Sequence, residues 1–147
     1  MKKPILICFL LVVCMSFAQK KDKNQPQSII SEDVAIKKYH NKEELNNMEK
    51  GQLLNLYIER IESLVKTLPY IAFATKPGKT MSTFGIPNSK ENRQSLEDKE
   101  EATDEFLEIT IDFQRKMLPY SDKSNLIAAI LFYEETMKLL HEYSEFD

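Results

Sequence analysis

Apolar residues in this chain recur at helical spacing, and one stretch is denser than the rest. From Leu126 to Tyr133 eight apolar residues follow one another without a break. At about 100° per residue they occupy the whole circumference of a helix, so the segment requires cover on more than one side. The pattern then turns amphipathic. Ala129, Ile130, Tyr133, Met137 and Leu140 share one face, while Glu134, Glu135, Lys138 and Glu142 share another. The helix over 125–140 is therefore expected to be the rod around which the other elements wrap.

Two further helices are legible upstream. Leu54, Tyr57, Ile58, Ile61, Leu64, Val65 and Leu68 recur at spacings of three and four, with Glu59, Arg60, Glu62 and Lys66 on the opposite side. This predicts a helix near 47–74, capped by Asn47 and supported by a Glu62–Lys66 pair. Pro69 either ends or kinks it, and Lys76-Pro77-Gly78 is a firm stop. Before it, Asn41 with Glu44 reads as a capping box over a short turn.

The next stretch, 89–118, runs 30 residues without Pro or Gly, with Asn88 and Glu91 placed as cap and capping-box partner. Its first half holds only Leu96 and Ala102 as apolar residues. Its second half holds Phe106, Leu107, Ile109, Ile111, Phe113, Met117 and Leu118. Only that second half is expected to be well buried. Between these helices, Thr80–Pro87 reads as one helical turn with Gly85 as a left-handed exit, and Met81, Phe84 and Ile86 as an apolar plug. Pro119 to Asp122 forms a corner before the last helix, near 122–144.

The expected fold class is all-α, an antiparallel three-helix bundle with an apolar inter-helix loop and a disordered N-terminal leader. The expected core is Leu54, Ile58, Ile61, Leu64, Val65 and Leu68 on the first helix and Phe106, Ile109, Phe113 and Met117 on the second. The third supplies Ile127, Ile130, Leu131, Tyr133, Met137 and Leu140. One short echo, Leu68-Pro69-Tyr70 and Leu118-Pro119-Tyr120, is explained by a shared way of stopping a helix: Leu closes the stripe, Pro ends it and Tyr packs back.

The N-terminus changes the other counts. Met1–Lys3 is basic, Ile5–Val13 is apolar, and Ser16-Phe17-Ala18 places small residues before Gln19. That order reads as a secretory signal peptide, 1–18, cleaved after Ala18. The same residues leave two alternatives, an uncleaved anchor and a lipoprotein modified at Cys14. Residues 19–40 read as a flexible leader and arm, and 41–147 as the helical domain. Cleavage removes both cysteines, Cys8 and Cys14, and with them any disulfide, thiol nucleophile or thiolate metal site. The expected address is periplasmic or secreted, with no membrane span in the mature chain.

Charge and chemistry narrow the picture further. The full chain carries a formal net charge of −3, and removing Lys2 and Lys3 makes it more acidic. Its basic residues are interleaved with acidic ones, which points away from nucleic acid. Hydrophobic content of 42% is enough for one core but not for two. Lys76-Pro77-Gly78-Lys79-Thr80 contains a Gly-Lys-Thr triplet but lacks the strand and the earlier glycine of a phosphate loop. His40 has no visible partner. His141 precedes Glu145 by one helical turn but reads best as a boundary histidine near a helix C-terminus. The run Glu97–Glu101 reads as a solvated face. Thr103, Thr110 and Gln114 are the residues from which an interior ligand pocket would be built. No catalytic set, no cofactor site and no metal site is assigned, and the chain is expected not to be an enzyme.

The landmarks KPGKTMSTFGIP and LPYSDKSNLIAAILFYEET resemble those of small exported helical proteins of Bacteroidota, over about residues 45–140. The signal ending Ser16-Phe17-Ala18-Gln19 is similar to signals common there. The resemblance implies export and a helical fold, and carries no activity and no functional residues. The expected function is a non-enzymatic protein-binding module of the cell envelope. Its partner would be another envelope or exported protein, met through Tyr70, Phe73, Met81, Phe84, Glu97, Glu100 and Glu101. Two other readings stay open, an inhibitor or immunity-like protein against an exported enzyme, and a small-ligand carrier or enzyme using the bundle interior. Oligomeric state is not legible.

Overall fold

The computed structural model describes residues 26–143. The signal peptide assigned to 1–18 and the leader as far as residue 25 lie outside the described residues. Among the described residues the fold is all-α, with no strand and one lone β-bridge between Ser28 and Thr80. Four helices form: α1 (Lys42–Asn46), α2 (Lys50–Thr67), α3 (Lys90–Met117) and α4 (Lys123–Tyr143). Short 3-10 turns occupy Glu32–Val34, Leu68–Tyr70, Met81–Phe84 and Leu118–Tyr120.

Local chemistry sets most of the boundaries. Asn41 Oδ1 accepts from Glu44 N–H at 2.9 Å while Asn41 N–H donates to Glu44 Oε2 at 3.0 Å, so the expected capping box forms. Two other caps fall elsewhere. Glu49, not Asn47, is the cap residue of α2, its N–H donating to Gln52 Oε1 at 2.8 Å. Ser89, not Asn88, caps α3, with Asn92 N–H donating to its hydroxyl at 3.1 Å. Asn88 lies one residue further out, where its carbonyl accepts from the Arg93 guanidinium at 2.7 Å.

Pro69 ends α2 at Thr67 instead of allowing it to continue to 74, and Leu68–Tyr70 tightens into a 3-10 turn. Leu118–Tyr120 does the same after α3. A proline lacks the N–H that a continuing helix would need and crowds the preceding turn. Gly85 takes the left-handed conformation expected of it, at φ 70°.

Packing departs from the expected wrapping around α4. The central helix is α2, which lies against both α4 and α3, while α3 and α4 barely touch. Lys123 Nζ meets Asn46 O at 2.8 Å, the Tyr57 and Tyr133 hydroxyls lie 3.2 Å apart, and Arg60 Nε meets Glu134 at 2.9 Å. These contacts advance in the same direction along α1–α2 and α4. Contacts between α2 and α3 advance in opposite directions, from Lys50 Nζ on the Pro119 carbonyl to Lys66 Nζ on Asp104, each at 2.8 Å. Lys66 thus pairs across helices with Asp104, where sequence spacing pointed to Glu62.

Burial forms two clusters, although the composition was read as sufficient for only one. The first joins Leu45, Leu53, Tyr57 and Ile58 to Leu126, Ile127 and Ile130. The second joins Ile29, Ile30 and Val34 to Ala74, Met81 and Leu96. Between them the α2 segment 60–67 buries polar residues, Arg60, Ser63 and Thr67, which breaks the apolar continuity. The Thr67 hydroxyl donates to the Ser63 carbonyl one turn back, at 2.7 Å.

Several expected core residues are exposed: Leu68, Phe106, Ile109, Phe113 and Met117. Since α3 is covered on one face only, by α2 and, around Leu96, by the arm and the loop, Leu96, Thr103 and Leu107 are buried there and the neighbouring stripe is left outside. On α4, Ile130 is fully buried, yet Phe132 and Leu139 face outward, so the apolar run is covered on one side only. The packed unit also begins earlier than residue 41. Ile29, Ile30 and Val34, assigned to a flexible leader and arm, are buried. Ile29 N–H donates to the Lys79 carbonyl at 2.8 Å, and Gly78 N–H to the Ser28 hydroxyl at 2.9 Å.

Candidate functional site

Two places gather side chains able to do something specific. The first lies under the loop that follows α2. Tyr70 follows the proline that stops the helix, and the 3-10 turn Met81–Phe84 brings the loop back beside it. Phe73 and Phe84 meet edge to face with centroids 6.0 Å apart, each exposed over a large part of its ring. Met81 is buried beneath them. A hollow of about 240 Å³ opens here, lined by Ile29, Tyr70, Phe73, Met81, Ile86, Asn92, Ser95, Leu96 and Lys99.

A second hollow of about 170 Å³ adjoins it, sharing Ile29 and Tyr70, and is lined by Lys66, Glu100, Thr103 and Asp104 among others. Burial, with the Glu100 carboxylate beside it, raises the Tyr70 hydroxyl above its ordinary pKa. The Asp104 carboxylate, by accepting a hydrogen bond, raises the Lys66 ammonium and holds it charged. The pair leaves a mixed-charge rim beside an apolar floor, an arrangement suited to recognition.

Of the residues assigned from sequence, Tyr70, Phe73, Met81 and Phe84 converge, and Glu100 joins them through the second hollow. Glu97 and Glu101 do not. They are exposed on α3 and line neither hollow, because a step of about 100° per residue turns them away from the face that carries Leu96 and Thr103. Thr103 lies at the hollow, but its hydroxyl donates to the Lys99 carbonyl at 2.8 Å and lies 2.9 Å from Lys99 Nζ. Thr110 and Gln114 line neither hollow, so the three do not form one pocket. Sequence reasoning missed Ile29, although an Ile29-Ile30 pair inside a polar stretch was a visible signal.

The second place is a buried polar knot between the arm, α2 and α4. Glu134 and Arg60 are essentially inaccessible, although both were read as belonging to solvated faces. Glu134 Oε1 accepts from Arg60 Nε at 2.9 Å and lies 3.0 Å from His40 Nδ1, while Oε2 accepts from His40 N–H at 2.5 Å. The rest of the guanidinium is used as well, on the Lys38 carbonyl at 2.6 Å and on Glu59 at 2.8 Å. His40, which had no visible partner in the sequence, is thereby tied to α4.

Next to the knot, His141 lies 3.4 Å from the Tyr39 hydroxyl through Nδ1 and 3.1 Å from the Thr75 carbonyl through Nε2. Burial raises the Tyr39 hydroxyl above its ordinary pKa. A buried carboxylate satisfied on both oxygens is a tether, and removing either charged partner strands the other in a low-dielectric site.

Among the described residues no group of His, Cys, Asp and Glu has the geometry to hold a metal ion, and no helix is long and apolar enough to cross a membrane. No protein-family model, no curated protein and no solved structure matches the chain.

Proposed function

We propose that this is an exported, non-enzymatic binding module of the cell envelope, which engages another protein through the face bearing Tyr70, Phe73, Met81 and Phe84. The observation that carries the reading is the exposed Phe73–Phe84 pair standing beside an apolar hollow floored by Met81 and Leu96. Exposed aromatics at the lip of a preformed hollow are the usual anchors of protein interfaces. The helices read as an antiparallel three-helix arrangement in chain order, with α2 innermost and the loop at one end. Export rests on the N-terminal pattern, with Gln19 as the first residue of the mature chain.

The test is site-specific photocrosslinking in living cells, with the probe at Phe84 and a control probe at Asn55. One dominant adduct from Phe84, absent from Asn55, is expected. The purified partner should lose affinity for the Phe73→Ser/Phe84→Ser chain by about tenfold or more. Equal binding of that variant would sink the proposal. N-terminal sequencing of the accumulated protein tests the cut after Ala18.

A second reading, an inhibitor of an exported basic enzyme, draws on the exposed Glu97 and Glu101. It predicts binding that weakens steeply with salt and with Glu97→Lys/Glu101→Lys, whereas the aromatic reading predicts little change in either case.

A further inference from the structure

Outside both sites, α3 carries an apolar stripe that no other element covers among the described residues. Phe106, Ile109, Phe113 and Met117 recur at spacings of three and four, so they form one line down the helix. Each is more than half exposed, with Ile109 at 73%, and Tyr120, in the 3-10 turn that follows, is exposed at 87%. Four such side chains present on the order of 500 Å² of apolar surface, as large as the largest patch expected on a monomer. The stripe occupies the second half of α3, whereas the hollow beside the Phe73–Phe84 lip is lined by Asn92, Ser95, Leu96 and Lys99 of its first half.

The pattern of the stripe identifies its occupant. Read against itself in the opposite direction, it is self-complementary. A reversed copy centred between Ile109 and Phe113 sets Ile109 on Phe113, and brings Phe106 within one residue's rise of Met117, twice over. One pair of flanking charges agrees with that register, while Asp112, exposed on the same edge close to the axis, meets Asp112 of the copy. Glu105 and Lys116 are both exposed and border the stripe on the same edge, about three turns apart. In an antiparallel pair of helices that edge meets the same edge of the copy, so Glu105 faces Lys116 at both ends. A parallel pairing does not bring this match.

We infer that two copies of this chain associate through α3, antiparallel about a twofold axis near the middle of the 106–117 stripe. Both copies together bury roughly 1,000 Å² from the stripe alone, the lower bound for a specific interface, and the flanking charges enlarge it. A twofold contact uses the same patch on both copies, so every substitution in it counts twice.

Sedimentation equilibrium of the protein, purified in the form that accumulates in the cell, tests this. A monomer–dimer equilibrium is expected. Ile109→Glu should weaken it on the order of a hundredfold while helicity and melting of the monomer stay unchanged, because the side chain is exposed. Glu105→Lys alone and Lys116→Glu alone should each weaken it by about tenfold, and the two together should restore it. A chain that stays monomeric at millimolar concentration overturns the inference. So does a dimer indifferent to Ile109→Glu. A dimer that Ile109→Glu abolishes, but that the double charge swap does not restore relative to either single reversal, overturns the antiparallel register. Loss of the Phe73–Phe84 partner leaves these measurements untouched, so the two proposals fail independently.

Discussion

Helices α3 and α4 carry comparable numbers of large apolar residues and meet different fates. On α4, Leu126, Ile127 and Ile130 are buried against α2 and α1, and Met137 is buried as well. On α3, Phe106, Ile109, Phe113 and Met117 are exposed, while the helix buries Leu96 and Leu107 on an adjacent face. Hydrophobicity alone would have ranked the two stripes equally. The difference is supplied by neighbours: α4 is held by α2, α1 and the arm, whereas α2, the arm and the loop cover only the face of α3 that carries Leu96, Thr103 and Leu107 and leave the stripe beside it bare. An apolar stripe is thus a demand for cover, and the cover comes from within the chain for α4 and, by the inference above, from a second copy for α3.

The comparison is best broken where α4 is most committed. Arg60→Ala leaves Glu134 charged and buried without its main partner and should cost ~3–5 kcal/mol in denaturant unfolding. Replacing both, Arg60→Met with Glu134→Leu, should recover much of that loss, because the stranded charge is gone. A loss under about 1 kcal/mol for Arg60→Ala would mean that the knot is open to water. Ile130→Ala follows, at ~2–5 kcal/mol for a cavity in the first cluster. An unchanged melting temperature would remove Ile130 from the core.

A third effect appears in alkali. Tyr57 is raised above the ordinary tyrosine range by burial first and by its hydrogen bond with Tyr133 second. Above about pH 10 the unfolded chain ionises this hydroxyl and the folded chain does not. Stability is therefore complete below that pH and falls as pH rises beyond it. Tyr57→Phe should flatten the alkaline limb of the stability curve, and an unaltered limb would place the Tyr57 hydroxyl in solvent. The smallest effect belongs to α3. Phe113→Ala, measured dilute enough to keep the chain monomeric, should change stability by less than about 0.5 kcal/mol, as surface substitutions do. A loss like that of Ile130→Ala would show that the stripe is covered from within the chain.

The candidate site was partly legible. That Tyr70, Phe73, Met81 and Phe84 come together is legible because Pro69, Pro77 and the Gly85 exit fold a short apolar loop back on itself, and turn chemistry is local. Glu97 and Glu101 were grouped with them by proximity in sequence, and helical rotation turned them away. The Arg60–Glu134–His40 knot left no trace in the pattern, since each member looks like an ordinary surface residue within its own element.

By itself the sequence determined the helical class, the capping box at Asn41, the two Leu-Pro-Tyr stops and the loop between α2 and α3. These depend on periodicity, missing N–H groups and side chains that reach only their own turn. Tertiary structure alone decided that α2 and not α4 is central, that Ile29 and Ile30 are core, that Glu134 is buried, and that the Phe106–Met117 stripe faces outward. Those outcomes depend on which surfaces meet across long stretches of chain, and a helix presents the same pattern whether or not a neighbour arrives to cover it.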